Sequence, residues 1–173
     1  MAIINVSAGS EAVLYLGENE ANANISTSPV VALVVPHLQD ITINNSTGVF
    51  RWKTLDSTAE NAATTPATNQ ITLNAVVDTL AFFGDAAGSD AVKVAGLFNA
   101  SKNKTRVYFS VGFNGTDTTS TYLTVTLTGL APTLTGSGFI SGLAPTVNMD
   151  SPVWITPVTL EIDGDFTQRV VPA

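Results

Sequence analysis

The distribution of β-forming residues constrains this chain more than any other feature. Val, Ile, Thr, Phe and Tyr occur in short runs, and Gly, Pro, Asn and Asp separate these runs. Branched and aromatic residues favour pleated strands, whereas the separating residues favour turns. The pattern therefore predicts a mainly β chain, with strands at residues 12–16, 30–35, 38–44, 49–55, 70–77, 105–113, 122–128 and 153–166.

The segment 105–113 shows strand alternation most clearly. Val107, Phe109 and Val111 point to one face, and polar or small residues occupy the positions between them. Turn-forming residues follow, and then a second alternating run covers residues 122–128. These two runs are predicted to form a hairpin with one face in the core.

A single helix is predicted at residues 89–100. Ser89 can accept hydrogen bonds at its N-terminus, and Asp90 suits the positive end of the helix dipole. Its apolar side chains form one stripe that should pack on the sheet: Val94, Leu97 and Phe98. The predicted fold is thus a β-sandwich or half-barrel sheet with one short flanking α-helix, in a single domain over residues 1–173.

Charge limits the partners that this chain can have. Only 12% of the residues are charged, about half the usual share, and the net charge is −7. A thinly charged surface is suited to contact with copies of itself, and an acidic one does not bind nucleic-acid phosphates tightly. With no Cys, the chain has no disulfide or thiolate site, which fits assembly in a reducing cytoplasm.

Catalytic and targeting motifs are missing from the sequence. His37 is the only histidine, and no nucleophile elbow, zinc-protease motif or phosphate-binding loop accompanies it. We therefore expect no enzyme activity, no cofactor and no metal centre. The longest apolar run, residues 30–35, is too short to span a membrane, and the first residues lack a secretion signal.

Two segments are predicted to lack regular structure. Residues 56–69 contain no large apolar side chain and resemble a long loop. Such a loop is either a mobile surface excursion or an arm that becomes ordered against a neighbouring subunit. The glycine-rich segment 136–142 is interpreted as a flexible or tight-turn segment.

The sharpest polar pattern is a run of alternating carboxylates near the end of the chain. Glu161, Asp163 and Asp165 share one face if the last strand is regular. This row has three interpretations: a weak site for a hard cation such as Ca²⁺, a solvated strand face or protected edge, and the acidic wall of a channel formed by identical subunits.

Three aromatic residues are candidate anchors in the core or at an interface: Phe50, Trp52 and Trp154. Arg51 and Lys53 alternate with the first two of them, so the basic pair lies on the opposite strand face. We expect that pair to meet acidic residues of the same or a neighbouring subunit, since one such pair is weak support for nucleic-acid binding.

The order of these features resembles the major tail tube proteins of tailed bacteriophages. The closing part is the most similar: residues 139–145, a polar stretch to Asp150, and then the strand 153–166 with its end at Gly164, Asp165 and Phe166. The likeness spans most of the chain in the order of its elements.

The resemblance implies a subunit of the virion tail, assembled in the host cytoplasm as stacked hexameric rings. The sheets of the subunits would join into a tube-lining β-barrel that conducts phage DNA, with other tail proteins at its ends. It also implies an acidic lumen, for which Glu161, Asp163 and Asp165 are the candidates. Residues 1–11 would form an N-terminal arm and residues 56–69 a ring-to-ring arm, and a long non-contractile tail is preferred.

Two other functions share part of this sequence character. A capsid decoration protein or other virion surface protein would also be β-rich, weakly charged and free of cysteine. A carbohydrate-binding or adhesive β-sandwich is the third interpretation, although the sequence lacks the clustered aromatic platform that sugars require. The geometry of assembly separates the tail tube protein from the capsid decoration protein, because only a tube subunit forms long hollow tubes.

Overall fold

The protein was analysed as a computed structural model that describes residues 12–23, 31–35, 38–55, 58–113, 133–148 and 151–169. These residues form one antiparallel sheet and two helices. The elements are β1 (Ala12–Gly17), β2 (Leu33–Val35), β3 (Leu38–Trp52), β4 (Asn61–Val76), α1 (Thr79–Phe83), α2 (Ala91–Lys102), β5 (Arg106–Phe113), β6 (Thr133–Leu143), β7 (Thr146–Asn148), β8 (Ser151–Ile162) and β9 (Thr167–Arg169).

The strands are ordered β2-β1-β5-β6-β8-β4-β3 across the sheet, and β7 and β9 pair with β8 and β6 respectively. Helix α2 and alternate residues of the central strands enclose the main core. The alternation predicted for β5 is confirmed, because Val107, Phe109 and Val111 are all buried. The predicted partner strand of β5 at residues 122–128 lies outside the described residues, as do residues 1–11.

Strands β3 and β4 form one long hairpin, which corrects two predictions. Two strands were predicted where β3 is continuous, and the loop predicted at residues 56–69 is strand from Asn61 onward. The Ala and Thr residues of β4 carry no apolar pattern, so backbone pairing with β3, from Trp52 opposite Asn61 to Leu38 opposite Ala75, holds the strand. A β-bulge between Thr47 and Val49 interrupts the register.

Strand β6 occupies the middle of the sheet, so the prediction of a flexible segment at residues 136–142 is wrong. Its glycines are explained by close neighbours. A Cβ on Gly136 would lie 2.8 Å from Phe109 Cζ, and a Cβ on Gly138 would collide with the carbonyl oxygen of Glu161. Glycine here gives adjacent strands and a core ring the space to approach.

The predicted helix is confirmed, although its cap is Asp90 and Ser89 is not involved. Asp90 is fully buried. Its carboxylate joins the start of α2 to the end of β1, with hydrogen bonds from Val92 N (2.8 Å), Lys93 N (3.2 Å), Glu18 N (3.0 Å) and Asn22 Nδ2 (2.8 Å). Helix α1 was not predicted, and at five residues it is too short to show an apolar period.

Helix α2 is broken at Gly96, where φ is 70° and ψ is 172°. The break changes the helical phase. As a result Leu97 is buried, whereas Val94 and Phe98 are each 45% exposed, and the predicted single stripe does not form. The end of α1 packs closely against α2 at Gly96, where an added Cβ would lie 2.7 Å from Phe82 O, and just after α1 Asp85 N donates to Lys93 O at 3.0 Å.

Replacement of Gly96 by alanine should destabilise the subunit. The positive φ disfavours any side chain, and the new Cβ would lie 2.7 Å from Phe82 O and collide with Gly84 N. We expect the free energy of unfolding to fall by more than about 2 kcal/mol in chemical denaturation. Gly164→Ala is the control, because its φ is 100° but no atom lies within 4 Å of the new Cβ. Equal losses would show that steric contact at Gly96 contributes nothing.

Candidate assembly surfaces

The sheet face opposite the main core is polar and uncovered on β3, β4 and β8. We call it the open face. Residues directly opposite each other in neighbouring strands share a face, so the register defines its rows. The rows across β8, β4 and β3 are Glu161-Gln70-Asn44, Thr159-Thr72-Thr42 and Pro157-Asn74-Asp40, and none of these residues is buried. Hydroxyl, amide and carboxylate groups therefore dominate a solvated wall.

Glu161 is held on the open face by neutral partners. Its Oε1 accepts hydrogen bonds from Gln70 Nε2 at 2.6 Å and from Ser141 Oγ at 3.3 Å. The side chain is half-buried. Because no cation neutralises it among the contacts of the described residues, Glu161 contributes its full negative charge to the wall.

The last long strand ends earlier than predicted. Strand β8 stops at Ile162, whereas the sequence pattern predicted a strand to residue 166. Gly164 has a φ of 100°, and the chain pairs again only at Thr167–Arg169. The turn chemistry of Asp163 and Gly164 overrides the alternation of the sequence.

Asp163 lies beside the open face and forms an ion pair. Its Oδ2 is 2.9 Å from Arg106 Nη2, which also donates to Ser137 Oγ at 3.0 Å. Arg106 is opposite Phe139 in the register, and Phe139 is opposite Glu161. Arg106 and Glu161 therefore lie on the same face of the sheet.

Asp165 lies on the other side of the sheet, so the predicted row of three carboxylates is wrong at this residue. Its Oδ1 accepts from Asn69 Nδ2 at 3.3 Å, and Gly164 O accepts from the same amide at 2.8 Å. Asn69 is 2% exposed, and it shares the core side of β4 with buried Ile71, two residues further along the strand. The next residue, Phe166, packs with Phe109 in the core.

The described ranges contain no group of three acidic or histidine side chains close enough to hold a metal ion. His37, the only histidine of the sequence, lies outside the described residues. Within the described part of the chain, no helix is both long and apolar enough to cross a membrane.

A two-stranded ribbon extends beyond the end of β8. We call this ribbon, residues 45–52 of β3 and 61–68 of β4, the arm. All its residues are exposed, and its eight-residue strands reach about 26 Å from the body. Among the described residues, β3 is the outermost strand and β4 pairs with β8 only at residues 70–76, so neither edge of the arm has a partner strand there. Arg51 is its only charged residue, although free edges are usually protected by charge.

The aromatic residues near the end of the arm lie outside the core. Phe50 and Trp52 stack with their ring centroids 5.7 Å apart, and they are 61% and 40% exposed. Arg51 and Glu60 form an exposed ion pair at 3.4 Å beside them. Trp154, at the other end of the sheet, is 46% exposed. All three predicted anchors are therefore outside the core in the isolated subunit.

The helices carry a further apolar surface that the sequence did not reveal. We call it the helix patch, and its exposed members are Leu80, Phe83, Val94 and Phe98. The rings of Phe83 and Phe98 are 6.4 Å apart, so α1 and α2 form a continuous surface. Two of these residues belong to the stripe that was expected to face the sheet, and the break at Gly96 exposes them.

The described fold was compared with known proteins. No protein-family model and no curated protein matches the chain. The structure of the SPP1 tail tube matches with a TM-score of 0.58 at 12% identity, over 96% of this chain and 80% of that one. This is the tail tube fold. A chain of the native gene transfer agent virion shares it, with a TM-score of 0.52 at 9% identity over 90% of this chain and 95% of that one.

A third solved structure with the tail tube fold is the anti-feeding prophage cap, which terminates a tube. It matches with a TM-score of 0.52 at 15% identity, over 99% of this chain and 95% of that one. The predicted fold class, a mainly β tail-tube-like sheet with helices at its side, is confirmed. The tail tube fold thus covers almost the whole chain, arm included.

The body of the subunit should fold without its arm. No described residue between 46 and 68 belongs to the core clusters, so replacement of residues 46–68 by an Asn-Gly turn removes none of the described core side chains. We expect a cooperative thermal transition within about 5 °C of the full chain, because a change of about 1 kcal/mol shifts the midpoint of a domain this size by a few degrees. Loss of the cooperative transition would show that the arm stabilises the core.

Proposed function

We propose that this chain is a structural virion subunit that polymerises as stacked hexameric rings into a phage tail tube. The tube conducts DNA during genome ejection, and the subunit itself is not an enzyme. The observation that carries this proposal is the fold shared with the SPP1 tail tube over 96% of the chain. The subunit would assemble in the host cytoplasm, and other tail proteins would bind the tube ends.

In this proposal the open face lines the lumen. Its described charges are the carboxylates of Asp40, Glu161 and Asp163 and the guanidinium of Arg106, which leaves a net charge of −2 per subunit. Rings of identical subunits repeat this charge around the channel. Like charge keeps DNA phosphates from binding the wall, and uncharged hydroxyl rows between the charges hydrate it.

The arm contacts a neighbouring subunit in this proposal. A two-stranded hairpin alone is marginally stable in water, and in the described structure every residue of the arm is exposed. Its free edges offer unpaired backbone groups to another strand, and Phe50 and Trp52 offer apolar area. Both needs are met if the arm lies against the next copy, within a ring or between rings.

A tube-terminating subunit is a second candidate function. The likeness to the anti-feeding prophage cap favours it, since that protein ends a tube. The two functions differ in one property: a tube subunit stacks without limit, whereas a terminating subunit forms one ring.

Electron microscopy of the purified protein tests the assembly. We expect long hollow tubes of stacked rings from the full chain, and isolated subunits or single rings from the variant that lacks residues 46–68. Single rings from the full chain would favour the terminating function. Discrete compact particles with no central channel would contradict both, and tubes from the shortened variant would remove the role of the arm.

Charge reversal tests the lumen. Glu161→Lys places a cation on the open face, so particles that carry it should eject DNA several-fold more slowly at low salt, and salt should reduce the difference. Asp165→Lys changes the net charge equally but lies on the core side of the sheet. The release of DNA from purified particles, followed with an intercalating dye, gives both rates. Equal slowing by both variants, or no slowing by either, would contradict this orientation of the sheet.

A further inference from the structure

Arg106 is unusual because of its position. Among the described side chains of β3 to β8, it is the only basic residue on the open face; Arg51 belongs to the opposite face of β3. A guanidinium on a channel wall would bind the passing DNA, because Arg binds phosphate oxygens through paired, charge-assisted hydrogen bonds. Six such groups in each ring would retard the DNA.

Three neighbours hold the guanidinium of Arg106 in place. Nη2 donates to Asp163 Oδ2 at 2.9 Å and to Ser137 Oγ at 3.0 Å. The guanidinium carbon lies 5.7 Å from the centroid of the Tyr108 ring, within the range of a cation–π contact. Both charged side chains remain about half exposed, at 50% and 52%. The ion pair is therefore open to solvent and to any polyanion in the channel.

We infer that Asp163 masks Arg106 from the phosphates of DNA. Its carboxylate occupies the donor edge to which a phosphate would otherwise bind, and it neutralises the cation. The inference rests on the proposed function, and it separates the roles of two carboxylates. Glu161 has neutral partners and repels DNA, whereas Asp163 neutralises Arg106 and keeps it from binding DNA.

The mask explains why an ion pair is placed on a face that has few charges. Loss of Asp163 would leave Arg106 still oriented by Ser137 and Tyr108, with free donors directed at the channel. A guanidinium already held in one orientation loses less entropy when it binds a phosphate. Removal of Asp163 should therefore create an anion site, which is a larger effect than the loss of one negative charge.

Three variants test this inference. Asp163→Asn removes the mask, and Glu161→Gln removes the same charge from the same face without exposing a cation. The double variant Asp163→Asn with Arg106→Gln removes both members of the pair. The affinity of the purified subunit for a short single-stranded DNA oligonucleotide and the rate of DNA ejection from particles are measured at low and high salt. Thermal melting confirms that each variant is folded.

We expect Asp163→Asn to bind the oligonucleotide about tenfold more tightly at low salt and to slow ejection. High salt should abolish both effects. Glu161→Gln removes a repulsive charge without exposing a cation, so it should raise the affinity and slow ejection much less than Asp163→Asn does. The double variant should return to the wild-type values, and Asp163→Glu should retain them. The inference fails if Glu161→Gln matches Asp163→Asn, or if the double variant still binds tightly. Oligonucleotide binding is measured on the subunit and does not require assembly. Failure to form tubes would therefore contradict the proposed function, whereas the binding data would still decide whether Asp163 masks Arg106.

Discussion

Strand β4 pairs with β3 over almost its whole length but with β8 over only its second half, and both the polar wall and the arm depend on this difference. β4 pairs with β3 from Asn61 to Ala75, but with β8 only from Gln70 to Val76. Where all three strands run together, they form a sheet with a core on one side and a polar wall on the other. Beyond Gln70 only two of the described strands continue, so neither edge has a described partner and both faces are exposed. The wall and the arm thus arise from one register.

Strand alternation makes this register strict. A slip of one residue would exchange the faces of a whole strand, moving Ile71 and Leu73 into solvent and Gln70 and Thr72 into the core. Burial of the first pair therefore places the second pair on the wall as a geometric consequence. The energy that stabilises the core also aligns the polar rows, and no separate interaction is needed to build the surface that faces the channel in the proposed function.

The sequence predicted those parts of the fold in which side chains alone specify the structure. The alternation of β5 and the capped helix α2 are of this kind. The arm could not be predicted, because Ala and Thr in β4 become strand through backbone pairing with residues distant in sequence. The prediction for β6 was wrong for a related reason. The requirement for glycine at residue 138 comes from the carbonyl of Glu161 on the neighbouring strand, which is distant in sequence. The resemblance to tail tube proteins rested on the order of elements, which tolerates such local errors, and the fold confirms it.

The candidate sites differ in the same way: residues within a regular strand could be placed from the sequence, and residues positioned by distant contacts could not. Glu161 lies where alternation predicted, within a regular strand, whereas Asp165 does not, because β8 ends at Ile162 and Gly164, with a φ of 100°, interrupts the alternation first. The ion pair of Asp163 could not be predicted from sequence, since Arg106 is 57 residues away and reaches it only through β6. The helix patch was missed because a single glycine with positive φ exposes two of the three residues of the predicted apolar stripe.

The β-bulge between Thr47 and Val49 makes one edge of the arm irregular. A ribbon with a single charged residue, and with both edges unpaired among the described residues, is a template for the indefinite stacking that produces fibrils. In β4, Thr65 and Pro66 stand opposite the single residue Gly48, and Pro66 has no N–H to donate. A continuous ladder cannot run along that edge, so a flat strand from an unrelated chain finds its pairing interrupted halfway. In the proposed function this interruption disfavours stacking of unassembled subunits, and only a partner strand that matches the bulge pairs along that edge.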